Sequence, residues 1–225
     1  MNSDVVVETR KTNRTLVMTA VSAEREAVMR GLQGNESFDV ELAGVGPIAA
    51  AANTARLLAR KSYDLVISAG IGGGFPKEIE DGGLVVSKEI IGADLGAQTP
   101  EGFLSLDELG FGFTRVPIDE SLAVRVIEAL NRAGLPAKLG PVLTVSTATG
   151  TAETAMELAK RVPGAVAEAM EGFGVATAAQ MYSIPVLEIR TISNQVGPRD
   201  RAAWRIKEAL QTLESASSVL SEVFT

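Results

Sequence analysis

Neither cysteine nor histidine occurs among the 225 residues. Their absence removes disulfides, thiolate nucleophiles, imidazole bases and the usual zinc ligand sets. Any catalysis falls to carboxylates, hydroxyls, amides or backbone groups. Long apolar runs are missing too: no segment approaches the roughly 20 apolar residues that span a bilayer, and Met1 to Arg14 are polar and hold no apolar signal-like core. Nor is there an excess of positive charge. Acidic residues outnumber basic ones 28 to 21, the net charge is −7 and the pI is near 4.8, which disfavours a phosphate-neutralising groove. A soluble cytoplasmic protein acting on a small molecule is expected, with neither nucleic acid nor membrane as partner. No proline-rich or charged linker divides the chain. It reads as a polar tail over residues 1–14 followed by one domain over 15–225.

What is present is an alternation of short β-rich runs with helix-period runs. Strands are expected at Thr15 to Ala20, Phe38 to Ala43, Tyr63 to Ala69, Gly83 to Ile91, Leu139 to Val145, Ala165 to Ala169 and Val186 to Ser193. Between them lie helical patterns. The first runs from Ala23 to about Leu32 with Ser22 as its cap, and the next from Pro47 to Lys61. Others run from Asp119 to about Ala133, Ala152 to Arg161 and Gly172 to Tyr182, and an amphipathic Ala202 to Val223 closes the chain. From Gly92 to Pro117 periodicity is lost, which predicts a long irregular excursion. This order predicts an α/β protein, a three-layer α/β/α sandwich around a mixed, mainly parallel sheet. In such sheets ligands gather at the carboxyl ends of strands.

Five segments follow strands, and each has a plain structural reading beside a functional one. In AVSAERE (residues 20–26), Glu24 and Glu26 either favour the positive end of a helix or supply a catalytic carboxylate. The stretch AGVGPIA (43–49) formally meets a dinucleotide-binding pattern. The acid that should end the next strand is absent, since Asp64 stands at its beginning, so these glycines are assigned to a tight turn and close helix packing. In GIGGGF (70–75), four glycines in five positions free backbone amides for a polar ligand, or else make a turn. Glu171 in EAMEG (168–172) either caps a helix or uses its paired oxygens to accept from vicinal ribose hydroxyls. Asn194 in RTISNQVGPRDR (190–201) is a turn residue or a ligand contact, and Asp200 can cap the last helix.

Taken together and in this order, the five segments resemble the nucleoside phosphorylase/nucleosidase superfamily, in particular its nucleosidases that act on methylthioadenosine/S-adenosylhomocysteine or on futalosine. The resemblance covers nearly the whole chain after the tail. It implies the nucleoside phosphorylase-like sandwich, a purine nucleoside as substrate and a homo-oligomer, dimer or larger. It also implies roles. Glu24 matches the water-activating glutamate, with Glu26 as the alternative if the loop is shifted by two residues. Ile71 and Gly72 fall in the glycine segment that borders the substrate. Met170 and Glu171 match the methionine under the sugar and the glutamate that holds the ribose hydroxyls. Asn194 matches the position facing N7 of the leaving purine. Glycosidic cleavage through an oxocarbenium-like state suits carboxylates and requires neither metal nor cofactor.

Two departures narrow the substrate. The adenosine-type nucleosidases carry an aspartate where this chain has Asn194, and a hydroxyl residue where it has Ile71. An asparagine NH2 can donate to a purine O6 while its carbonyl accepts from N7–H, a pattern that complements hypoxanthine or guanine. Against adenine it leaves a buried donor unpaired, a mismatch of about 1–3 kcal/mol. The implied activity is N-glycosidic hydrolysis of a 6-oxopurine nucleoside such as futalosine, giving hypoxanthine and dehypoxanthine futalosine in menaquinone biosynthesis. A methylthioadenosine/S-adenosylhomocysteine nucleosidase and a purine nucleoside phosphorylase are the alternatives. The Gly92 to Pro117 segment, with Phe103, Phe111 and Phe113, is expected to shape a pocket for the carboxyphenyl group of the 5′ extension, and Arg199 or Arg201 to meet its carboxylate.

Overall fold

The computed structural model describes residues 13–224. The segment expected as a polar tail lies outside the described residues except for Asn13 and Arg14. Arg14 is tied down, its backbone N–H donating to Asp64 and its guanidinium to Asp39, at 3.1 and 3.0 Å.

The chain runs β1 (Thr15–Thr19), α1 (Ser22–Leu32), β2 (Phe38–Leu42), α2 (Pro47–Leu58), β3 (Leu65–Gly74) and β4 (Leu84–Gly92). It continues with β5 (Gly96–Thr99), β6 (Gly102–Ser105), α3 (Leu106–Leu109), β7 (Arg115–Pro117), α4 (Glu120–Arg132) and β8 (Ala137–Thr144). Then follow α5 (Ala152–Arg161), β9 (Ala167–Ala169), α6 (Gly172–Met181), β10 (Val186–Gln195), a 3-10 turn (Arg201–Ala203) and α7 (Ile206–Val223).

The expected α/β sandwich is what forms. The main sheet has the order β10-β4-β8-β9-β3-β1-β2, with β7 added on β4. Its strand pairings are five parallel and three antiparallel, so it is mixed and mainly parallel. Because β10 also pairs with β3, the strands β3, β10, β4, β8 and β9 close into a ring. Val85, Val142, Ala167 and Ile192, all buried, form a small core from these strands. The larger core joins β1, β3 and β10 to the helices, with Leu16, Ile67, Leu187 and Ile189 fully buried in one cluster with Ala27, Val28, Leu213 and Ala216. Burial of each large side chain contributes roughly 1.5–3 kcal/mol. Helix α1 packs on α7, and α2 packs on α6.

Four local expectations are corrected. Ser22 does not cap α1. Val21 takes the cap position in extended conformation, and Glu24 reaches back to the amides ahead of the helix. The glycine segment is not a loop with free amides, because β3 continues through Gly74, parallel to β10 and antiparallel to β9. Four glycines are needed because neighbours press on the strand. A methyl group at Gly70, Gly72, Gly73 or Gly74 would come within 2.5 to 2.9 Å of other atoms. The Gly92 to Pro117 stretch holds a β5–β6 hairpin, the short α3 with its Ser105 cap, and β7 on the edge of β4. Its elements are three or four residues long, too short to show a period. Asp200 caps the 3-10 turn through Ala202 N–H, not the final helix.

Candidate active site

The carboxyl end of β10, the last residues of β3 and the loops after β1, β8 and β9 converge on a cavity of about 380 Å3. Glu24, Ile71, Gly72, Met170, Glu171, Asn194 and Arg199 all line it. Residues separated by up to 175 positions meet because the parallel strands β1, β3 and β10 end at one edge, and β9, antiparallel to β3, pairs with its tip there.

Glu24 sits in the first turn of α1 and is 3% exposed. Its Oε2 accepts from the Ala20 and Val21 amides at 2.9 and 3.2 Å, and its Oε1 from Ile71 N–H at 2.9 Å. Gly70 lets this happen. A methyl group there would lie 2.5 Å from Glu24 Oε1 and 2.7 Å from Arg190 Nη1. Burial pushes the Glu24 carboxyl above its usual value; the Arg190 charge and the Ile71 and Val21 amides oppose this, and Glu171 reinforces it. A carboxylate poised in this way is a better proton acceptor than an exposed one. Glu26, the alternative, is exposed and outside the cavity.

Behind Glu24 lies a buried charge cluster that the sequence reading did not single out. Arg190 on β10 is 1% exposed. Its Nε donates to Glu188 Oε1 at 2.8 Å, its Nη2 to Ser68 Oγ at 3.0 Å, and its Nη1 stands 3.4 Å from Glu171 Oε2. Burial works against the Arg190 charge, and Glu188, Glu171 and Glu24 more than offset it, so the guanidinium stays protonated. The signal in the sequence was Glu188 and Arg190 two residues apart in an apolar strand, which puts both on one face.

Glu171 occupies the cap position of α6 without making a cap bond. Its Oε1 accepts from Gly46 N–H at 3.2 Å, and its Oε2 from Met170 N–H at 3.3 Å. The rejected dinucleotide pattern thus has a concrete use. Gly46, at φ +89°, opens α2 and turns its amide onto Glu171.

At the other wall stands the Asn194 amide. Its Oδ1 lies 2.8 Å from Ser193 Oγ, and its Nδ2 donates to Gln195 O at 3.0 Å. One N–H and one lone pair remain for a ligand. Glu168, a further buried carboxylate missed in the sequence, accepts from the backbone N–H of Thr149 at 2.9 Å and from its hydroxyl. It holds the loop after β8 against the cavity, and burial raises its carboxyl above the usual range while the two Thr149 bonds oppose that shift.

Not every expected residue joins the site. Arg199 lines it, with its guanidinium 5.2 Å from the centre of the Trp204 ring. Arg201 lies outside it on the 3-10 turn, 5.8 Å from the same ring. None of the three phenylalanines lines this cavity. Phe111 is 80% exposed, Phe113 packs on Phe173 at 5.8 Å, and Phe103 lies under Arg161 in a neighbouring cavity. The β5–β6 pairing and the cap of α3 carry these side chains outward, a placement no local pattern reveals.

The model of the phosphorylase superfamily matches residues 11–225. A futalosine hydrolase of Streptomyces coelicolor is 51% identical over 92% of this chain and 95% of its own length. One from Acidothermus cellulolyticus is 44% identical over 91% and 89%. Among solved structures, the futalosine hydrolase of Helicobacter pylori superposes with a TM-score of 0.81 at 17% identity, covering 93% of this chain and 97% of that one. By sequence and by fold, the chain belongs to the phosphorylase superfamily and, within it, to the family of the futalosine hydrolases.

Proposed function

We propose that this protein hydrolyses the N-glycosidic bond of futalosine, releasing hypoxanthine and dehypoxanthine futalosine in menaquinone biosynthesis. The observation that carries the reading is the pairing, across one cavity, of a buried carboxylate at Glu24 with an amide at Asn194. Glu24 takes a proton from water as the water oxygen bonds to C1′ and the C1′–N9 bond breaks. The bonding pair leaves with the purine. There the Asn194 NH2 donates to O6 and its carbonyl accepts from N7–H. The purine takes up a proton at N7 from solvent and Glu24 returns its own to solvent, so water and nucleoside give the free base and the ribose product. Glu171 accepts from the vicinal ribose hydroxyls and, with Glu24, stabilises the positive charge that develops on the sugar. Met170 packs under the ribose, Ile71 and Gly72 border it, and Arg199 meets the carboxylate of the 5′ extension, with Arg201 nearby at the Trp204 ring. No metal or cofactor enters this chemistry.

Two features speak against the alternatives. A phosphorylase needs cationic groups at the N-terminal loop, but Arg25 donates its Nε to Val40 O at 3.0 Å and does not line the cavity. An adenine nucleoside would set its 6-amino group against the Asn194 NH2. We place the protein in the cytoplasm as one domain over residues 15–225 that forms a homo-oligomer, with neither membrane nor nucleic acid as partner. Base release from futalosine, inosine and methylthioadenosine, each with and without phosphate, tests the proposal. Futalosine should be cleaved without phosphate and preferred over methylthioadenosine by at least about tenfold in kcat/KM. N194D should narrow that preference. Strict phosphate dependence, or an unchanged preference in N194D, overturns the reading.

A further inference from the structure

Three carboxylates, Glu24, Glu171 and Glu188, face one guanidinium, that of Arg190. With all four ionised the cluster would hold two uncompensated negative charges away from water, which is costly. A bound proton relieves this. The donors supplied to each carboxylate show where it belongs. Glu24 accepts from three backbone amides, and Glu171 accepts from two amides and stands against Arg190 Nη1. Glu188 receives a single donor, Arg190 Nε on Oε1, and its Oε2 has no hydrogen-bond partner among the described residues. It is also fully buried. Its carboxyl lies against Gly172 at the start of α6, where a methyl group would come within 2.2 Å of Oε2. Nearby stand Ser87 on β4, whose Oγ accepts from Glu188 N–H at 3.1 Å, and Ser68 on β3, which pairs with Glu188 in register and holds Arg190. Neither carries charge.

We propose that Glu188 is a positioning residue for the reaction: it fixes Arg190 against Glu171 and Glu24 and keeps the cluster's surplus proton, so that Glu24 stays free to accept one from water. The catalytic half of this inference rests on the proposed hydrolysis, and the proton placement does not. Burial raises the Glu188 carboxyl from its ordinary 4.5 to about 7, with Arg190 opposing and Glu171 reinforcing the shift. A carboxyl raised in the fold keeps its proton where the unfolded chain has lost it. Its contribution to stability is therefore full below about pH 4.5 and declines as the pH rises through about 7.

The test compares wild type, E188Q and E188L. Glutamine has the shape of the protonated carboxyl and keeps an acceptor for Arg190 Nε. E188Q should retain kcat/KM within about threefold near pH 6–7 and leave the acid limb of its pH profile in place, whereas E188L should lose at least about tenfold. If Glu24 held the proton instead, removing the Glu188 charge would let Glu24 ionise more easily, and E188Q would move the acid limb to lower pH by about a unit or more. That shift, or a collapse of E188Q activity at every pH, overturns the proposal. Thermal melts read the same proton without any substrate. The fall in Tm of the wild type between about pH 5 and pH 8 should be distinctly smaller in E188Q, and equal slopes overturn the placement. Should E188Q not fold, infrared titration of the wild type and E188L decides: a buried carboxylic acid must give up its proton near neutrality in the first and be missing from the second, and any other pattern refutes the claim. A wild type that releases no purine base from any nucleoside would end the proposed function while the melts and the titration still judge Glu188.

Discussion

Glu24 shows how one side chain acquires a chemical task from its surroundings. It lies at a helix start, where any glutamate would be favoured. Here the carboxylate also accepts from Ile71 on β3, 47 residues away, and is largely buried at the cavity wall. Replacing it with glutamine removes the proton acceptor while keeping shape and most contacts. E24Q should lower kcat by about 100-fold or more while purine binding, followed by calorimetry, changes little. The base works only when ionised, and burial raises its pKa. The kcat/KM of the wild type should therefore fall as acid is added, with its midpoint above the ordinary carboxylate value of 4.5. An acid limb at or below that value would remove Glu24 from the role. Asn194 was read from sequence as an amide in an acid's place, and the structure adds Ser193 and Gln195 as the groups that orient it.

Among the elements, β3 has the greatest consequences. The sequence reading ended it at Ala69 because glycine is a poor strand former. Pairing on both sides overrides that weakness, with β10 along its length and β9 at its tip. The absence of side chains then admits Glu24, Arg190, Glu168 and Val196 to the space a Cβ would fill. G70A should leave the fold in place but force apart Glu24 Oε1 and Arg190 Nη1. A loss of about 100-fold in kcat/KM with a lowered Tm is expected, and near-normal activity would show that the close approach of these two side chains to Gly70 is not needed. Element identity was otherwise legible. The helices and most strands fall within a few residues of their expected positions, since an apolar face repeats over ten or more positions in the longer helices and short apolar runs mark the buried strands. The segment from Gly92 to Pro117 was not, because edge elements this short are set by pairing partners and not by their own pattern.

Taken whole, the molecule has a surface as informative as its interior. Among the described residues no helix is long and apolar enough to cross a membrane. Yet Ile48, Phe111 and Met181 stand 86, 80 and 76% exposed. Large apolar side chains left in water are candidates for an interface between copies of the chain. Sedimentation of the full-length protein should give a dimer or larger, and I48D should shift it toward the monomer. A wild type that is monomeric at micromolar concentration refutes the assembly.

The linear sequence by itself determined the classes of chemistry available, through the absence of histidine and cysteine. It also determined the alternation of strand and helix, and the carboxylates and amide placed at or just beyond strand ends. These are local properties, carried by residue type and by periods of two and 3.6. Only the tertiary structure decided that β3 runs on into its glycines, that Arg201 and the three phenylalanines stand apart from the cavity, and that Glu188 and Arg190 lie behind Glu24. Such facts depend on which strands pair and how closely they approach. Burial then gives one glutamate a role that its neighbours in sequence do not announce.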